Sequence, residues 1–316
     1  MNGQLDIVFQ ILAITGPVFI MVIVGWCLKR FAIIDDAFIS TASNLTYRIT
    51  MPFLLFIGIV KADLNTALQP KLIVYFSLAT ILGCAVAWVW AIKRIPVADR
   101  GVYVQGAFRG NCGVVALALA VNQFGDYGLS IGSVLSGLVI ILFNVLSTIV
   151  LSVYSSVFTF NFRSIIKELL QNPLIISVLI GLLVSYANLS PPTWFMVSGE
   201  YLASMTLPIA LICIGGTLSL SALVSSGGAA LSASLFKLVF IPVVFTVIGW
   251  LIGFEGRELG VLFLFLAAPT AAVSYVMAKA AGGDARFAAN IIALSTALSI
   301  VTISAGLYGL TALRWV

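Results

Sequence analysis

Apolar stretches of roughly 18 residues or more recur from the first positions of the chain to the last, parted only by short charged or Pro/Gly-rich breaks. Each is long enough to cross a bilayer as a helix, and a backbone in lipid must satisfy its own hydrogen bonds. Repetition along the whole length makes membrane crossing the architecture of the chain rather than an anchor for something else. Composition agrees: 61% of the 316 residues are hydrophobic and 9% are charged, against about a quarter charged in soluble domains. The breaks leave no room for a soluble domain.

The breaks predict an all-α membrane protein of ten spans, near 7–28, 37–60, 72–92, 101–121 and 127–153, then 172–186, 200–220, 229–253, 258–281 and 285–313. The first follows an acidic Asp6 and is too long for a signal-peptide core, so it reads as a retained span. The polar segment 161–171, with Arg163, Lys167 and Glu168, is the candidate linker between two units, 1–160 and 161–316. On one side the loops hold Lys29, Arg30, Lys93, Arg94, Arg100, Arg163, Lys167, Lys279 and Arg286; on the other they hold Lys61, Lys71, Arg257 and Arg314. The excess of basic residues marks the cytoplasmic side, which puts both termini outside, in a multi-pass protein of the inner cell membrane.

The two units resemble each other. GPVFIMVIVGWCLKR around Pro17 parallels NPLIISVLIGLLVSY around Pro173, an offset of 156 that Gly25 and Gly181 repeat. Thr50 and Pro52 in LTYRITMPFLLFIG match Thr206 and Pro208 in ASMTLPIALICIGG at the same 156. Gly125 and Asp126 match Gly283 and Asp284 at 158. Five spans per unit is an odd number, so the second unit enters the membrane from the opposite side and the repeat is inverted. Inverted repeats typify secondary transporters, in which one central site opens to either side.

Such sites form where spans are interrupted. Span 4 carries Arg109-Gly110-Asn111-Cys112-Gly113, and adding 158 lands on Ala267-Ala268-Pro269-Thr270-Ala271 in span 9. Glycine loosens the backbone, and proline removes a donor and clashes with the preceding turn, so both segments are expected to break their helices, near 110–113 and 268–270. If the breaks cross, the half-helix N-termini bring positive partial charge to one point, which suits an anion. Arg109 adds a planar cationic fork deep in a span, where charge is expensive; otherwise it would snorkel or tie down carbonyls at the break. Arg48 and Lys237 lie nearer span ends and read as snorkelling residues.

What is missing also constrains function. All eleven acidic residues fall near span ends, so the midplane offers no carboxylate for a proton relay or a strong Na⁺ site. Hydroxyls of Thr50, Thr206, Thr270 and Ser274 remain available to a cation. There is no histidine, and with no acidic pair in mid-span neither a Ser/His nor a diaspartyl protease can be assembled. Cys27, Cys84, Cys112 and Cys213 lie in apolar stretches without paired spacing, which points to neither disulfides nor zinc. No cofactor is expected. The net charge of +5 is scattered through short loops and marks topology rather than nucleic-acid binding.

FRGNCGVVALALA in span 4, AAPTAAVSYVMA in span 9 and TYRITMPFLLF in span 2 resemble the auxin efflux carrier family. The likeness covers the whole chain. It implies ten helices in two inverted five-helix repeats with broken spans 4 and 9 crossing, Asn111 and Pro269 flanking the substrate, and spans 1, 2, 6 and 7 as a scaffold. The chain lacks the long hydrophilic loop of many plant members and has Gly110 where plant exporters tend to have proline, so it looks like a compact bacterial form. The expected cargo is a small organic anion, such as a dicarboxylate or an auxin-like acid, moved by alternating access, with export as the direction. Arg109, Gly110, Asn111, Cys112, Gly113, Ala268, Pro269, Thr270 and Ser274 are the candidate substrate residues; Thr50, Pro52, Thr206 and Pro208 are the candidate scaffold positions. An H⁺- or Na⁺-coupled symporter and an anion channel are the competing readings, and a homodimer is compatible with all of them.

Overall fold

The computed structural model describes residues 2–62, 68–155, 162–218 and 227–316, and among them the regular structure is helical with no strand. The expected boundary between units, 160/161, lies outside the described residues, as do the last two positions of the seventh expected span. Among the described residues, seven helical stretches are long and apolar enough to cross a membrane: Asp6–Arg30, Asp36–Val60, Pro70–Arg94, Cys112–Tyr154, Thr193–Thr217, Gly228–Leu251 and Ala285–Ala312.

The chain begins with α1 (Asn2–Arg30), then α2 (Asp36–Leu45) and α3 (Met51–Val60), which join through a π-helical turn at Thr46–Thr50. Helix α4 (Pro70–Arg94) leads to α5 (Arg100–Phe108). A second π-helical turn, Cys112–Ala116, opens α6 (Leu117–Tyr154), which bends where Gly125 takes φ +56°. The expected linker holds a short helix, α7 (Phe162–Leu170), followed by α8 (Pro173–Tyr186) and α9 (Thr193–Thr217). Then come α10 (Gly228–Leu235), a third π-helical turn at Phe236–Phe240, α11 (Ile241–Leu251), α12 (Gly256–Ala267), α13 (Val273–Ala280) and α14 (Ala285–Ala312).

Helix starts follow local chemistry. Asp35, Asn172 and Asp284 each accept backbone N–H bonds at the N-termini of α2, α8 and α14. Lys29 and Arg30 close α1 and Lys93 and Arg94 close α4, where cations meet the negative end of the helix dipole. Helix α9 starts at Thr193, seven residues before the expected Glu200, because Glu200 sits inside the helix and pairs with Lys61 at 2.8 Å.

The interior is built around two short helices. Every residue from Gly101 to Phe108 in α5 and from Leu259 to Ala267 in α12 is buried. Helices apolar on all sides belong at the centre of a bundle. By contrast α1 exposes Phe9, Leu12, Ile20 and Ile23, and α4 exposes Val74, Leu78, Leu82 and Val89, the apolar outer face that lipid requires. Helices α1 and α9 meet backbone to backbone: a methyl group on Gly25 would stand 2.1 Å from the carbonyl oxygen of Ile212, and one on Gly215 would stand 1.9 Å from that of Val22. Small residues permit such contact in membrane helices.

Candidate functional site

Both central helices stop at an interruption. α5 ends at Phe108 and helical structure resumes at Cys112; α12 ends at Ala267 and α13 begins at Val273. Gly113 therefore lies just past the first break, inside the π-helical turn, and the second break extends two residues beyond Thr270. The interruptions are bonded to each other. The Asn111 N–H donates to the Pro269 carbonyl at 2.7 Å, the Ala271 N–H donates to the Arg109 carbonyl at 3.0 Å, and Gly110 and Thr270 form an antiparallel bridge.

Side chains complete the bonding that the breaks leave open. The Thr270 hydroxyl donates to the Gly106 carbonyl at 2.8 Å, and its N–H donates to Ser295 Oγ on α14 at 3.1 Å. At the end of α12, the Cys112 thiol lies 3.4 Å from the Phe265 carbonyl and Lys237 Nζ donates to the Leu266 carbonyl. Lys237 corrects the snorkelling expectation: it is 2% exposed, drawn inward by carbonyls that a broken helix leaves without partners. Arg48 is exposed.

A cavity of about 330 Å³ opens beside the junction. One wall is the junction itself: Arg109 to Val114 and Ala271 to Val273. The facing wall comes from α2, the first π-helical turn and α9, including Thr46, Tyr47, Cys213 and Thr217, with Asn144 of α6 and Asn172 alongside. The first turns of both resuming half-helices thus line it, and such turns carry N–H groups without intrahelical partners. No carboxylate is among its lining residues.

Arg109 is 4% exposed. Its Nη1 donates to the Phe143 carbonyl at 3.1 Å and to Ser147 Oγ at 2.9 Å, and its Nη2 donates to Asn144 Oδ1 at 2.7 Å. Nε has no partner. All three acceptors are on α6 and all are uncharged, so the guanidinium is oriented but not neutralised; the ion pairs among the described residues are Lys29 with Asp36 and Lys61 with Glu200. The guanidinium is thus anchored to α6, not to the carbonyls at the break, and the residue lines the cavity.

The sequence candidates divide. Arg109, Gly110, Asn111, Cys112 and Gly113 line the cavity, whereas Ala268, Pro269 and Thr270 form the junction behind it, and Ser274 is buried on α13 with an unpartnered hydroxyl. Of the scaffold positions, Thr50 is buried with an unpartnered hydroxyl, Thr206 bonds its own helix at the Leu202 carbonyl, and Pro52 and Pro208 lie within helical stretches and are not among the cavity's lining residues. Sequence reasoning missed Lys237, Tyr47, Asn144 and Asn172. Asn144 carried a usable signal, a lone amide within an apolar run.

A family model described as membrane transport protein matches residues 11–305. The chain belongs to this family, that of the auxin efflux carriers. An uncharacterised transporter of Methanocaldococcus jannaschii is 24% identical over 296 residues, covering 91% of this chain and 94% of that protein. A second, from Methanothermobacter thermautotrophicus, is 24% identical over 289 residues, covering 90% and 94%. As a member of the family, the chain is a multi-pass membrane transporter, and the breaks and cavity lie within the matched residues.

Proposed function

We propose that the chain is a secondary transporter of a small organic anion, a carboxylate, working by alternating access. The observation that carries this reading is the un-neutralised Arg109 at a cavity lined by two half-helix N-termini and by no acidic residue. Cation and helix ends favour negative charge at the same place. About 330 Å³ suits a small ligand. Asn111 and the α6 amide Asn144 supply hydrogen-bonding groups for orientation.

The architecture we propose has ten spans in two inverted units, 1–160 and 161–316, in the inner cell membrane. It divides α6 at Gly125, takes α8 as a short span, and counts each interrupted pair, α5 with the start of α6 and α12 with α13, as one broken span. Asn111 and Pro269, which are bonded to each other, are 158 residues apart, the offset between the two interrupted spans, as expected of a pair at the axis between two halves. Both termini lie outside the cytoplasm, so a C-terminal reporter active only in the cytoplasm should be silent. A strongly active one would overturn the orientation.

The cargo carries its own charge, with no mid-span acid to trade protons. A potential of about 100 mV then contributes about 2.3 kcal/mol per charge toward export. The test begins with a thermal-shift screen of carboxylates on the purified protein. Flux of the best binder is then followed in proteoliposomes under an imposed potential. Saturable flux that follows the potential is expected; flux that ignores it but follows a pH or Na⁺ gradient would replace uniport with symport, and unsaturable flux would indicate a channel.

A further inference from the structure

We propose that Lys237 is a built-in cation: its ammonium permanently occupies, at the carbonyl end of α12, the kind of position that a small monovalent cation such as Na⁺ would otherwise have to fill. Leu266 is the next-to-last residue of α12. Its carbonyl would normally accept from the N–H four residues on, but the Thr270 N–H turns away to Ser295 Oγ at 3.1 Å. Lys237 Nζ takes that place. The same ammonium lies against the first break, since a methyl group on Gly110 would come within 3.2 Å of Nζ and 3.1 Å of Cε.

Three observations favour a charged rather than a merely polar role. The two central helix ends are treated differently: the Gly106 carbonyl of α5 receives a neutral hydroxyl, that of Thr270, whereas α12 receives an ammonium. Lys237 makes no ion pair among the described residues, and the hydrogen bond its ammonium makes goes to a carbonyl dipole. Its backbone belongs to a π-helical turn, a local distortion often found at functional positions. Unwound carbonyls at helix C-termini are the groups that hold coupling cations in transporters with broken helices. Lys237 does not line the cavity, so it is a positioning residue that holds the junction together without touching cargo.

Only its functional consequence, transport that needs no loaded cation, rests on the proposed transport reading; the test does not. Melting temperatures of the purified protein are measured at constant ionic strength in choline, sodium and ethylammonium chloride. The wild type should melt alike in all three. Lys237→Ala should melt several degrees lower in choline chloride and recover in sodium or ethylammonium chloride, which can enter the space vacated by the side chain. A Lys237→Ala protein indifferent to both small cations, or a wild type shifted as much as the variant, would overturn the proposal. Should Lys237→Ala fail to fold, Lys237→Gln decides: it keeps a neutral donor and should still melt below the wild type, whereas wild-type melting would mean that a hydrogen bond suffices. Normal melting behaviour of this kind with no anion flux would sink the transport reading and leave this one standing.

Discussion

The amide of Asn111 and the carbonyl of Pro269, from two helices interrupted far apart in the chain, meet at 2.7 Å. Proline is suited to its half of the bond: it cannot donate, and it breaks the helix, which frees its carbonyl to accept from elsewhere. The adjoining bonds at Arg109 and Ala271 and between Gly110 and Thr270 make the junction a patch of paired backbone.

One hydroxyl supports that patch. Thr270→Val keeps the shape but leaves the buried Gly106 carbonyl without its donor, and should lower stability by about 1–3 kcal/mol. Thermal melting checks this, and Thr270→Ser should recover most of the loss.

Arg109→Gln should weaken carboxylate binding on the order of tenfold or more, because a neutral amide neither attracts the anion nor fills the fork. Arg109→Lys should restore the charge but not the three bonds to α6, and so recover only part. Isothermal titration with the best carboxylate from the screen, on protein shown to be folded by melting, reads the difference. Wild-type affinity in Arg109→Gln would remove the arginine from the site.

Packing between α1 and α9 gives a test with an internal control. Gly215→Ala drives a methyl group to 1.9 Å from the Val22 carbonyl, a backbone atom that cannot turn aside, so the helices must separate at a cost of about 1–3 kcal/mol or more. Gly16→Ala, on the same α1 but with nothing within 4 Å, should be neutral or stabilising by up to about 1 kcal/mol, since alanine favours the helix. Denaturation of both variants in the same detergent is the comparison.

Asp99, at the end of the short 3-10 turn that leads into α5, has its carboxyl held above the ordinary 3.8, first by burial and then by the charge of Asp284. A raised acid favours the protonated form in the folded state, so its ionisation opposes folding. The penalty is absent below about 3.8, grows as pH rises through that value, and is complete above the raised one. Asp99→Asn should therefore melt higher than the wild type at pH 7, with the gain disappearing as pH falls below about 3.8. A gain that persisted at low pH would assign the effect to something other than charge.

The sequence showed the helices well because lipid leaves few choices: an apolar run bounded by Lys, Arg, Pro or Gly is a helix, and α4 and α14 lie within two residues of their expected bounds. It showed the breaks because glycine and proline act on the backbone locally. What it could not show was direction. Lys237 and Arg48 are both cations in apolar runs, yet one turns inward to an orphan carbonyl and the other stays exposed, a difference set by a helix end that is remote in sequence. The partners of Arg109 were hidden for the same reason, lying 34 to 38 residues away on another helix. Glu200 misled because a charge was read as a boundary, whereas a glutamate left partly exposed near a helix end sits there at little cost, here beside Lys61.

The junction is joined largely through main-chain atoms, whereas the cavity beside it is also walled by residues outside the junction, among them Tyr47, Asn144 and Thr217. If the cavity admits the cargo, as proposed, durability and selectivity are written in different parts of the molecule. Substitutions at Tyr47, Asn144 or Thr217 can reshape what is admitted without touching the bonds that keep the two interrupted helices in register. On that reading, a lineage built on this plan can diversify its diet while inheriting its junction unchanged.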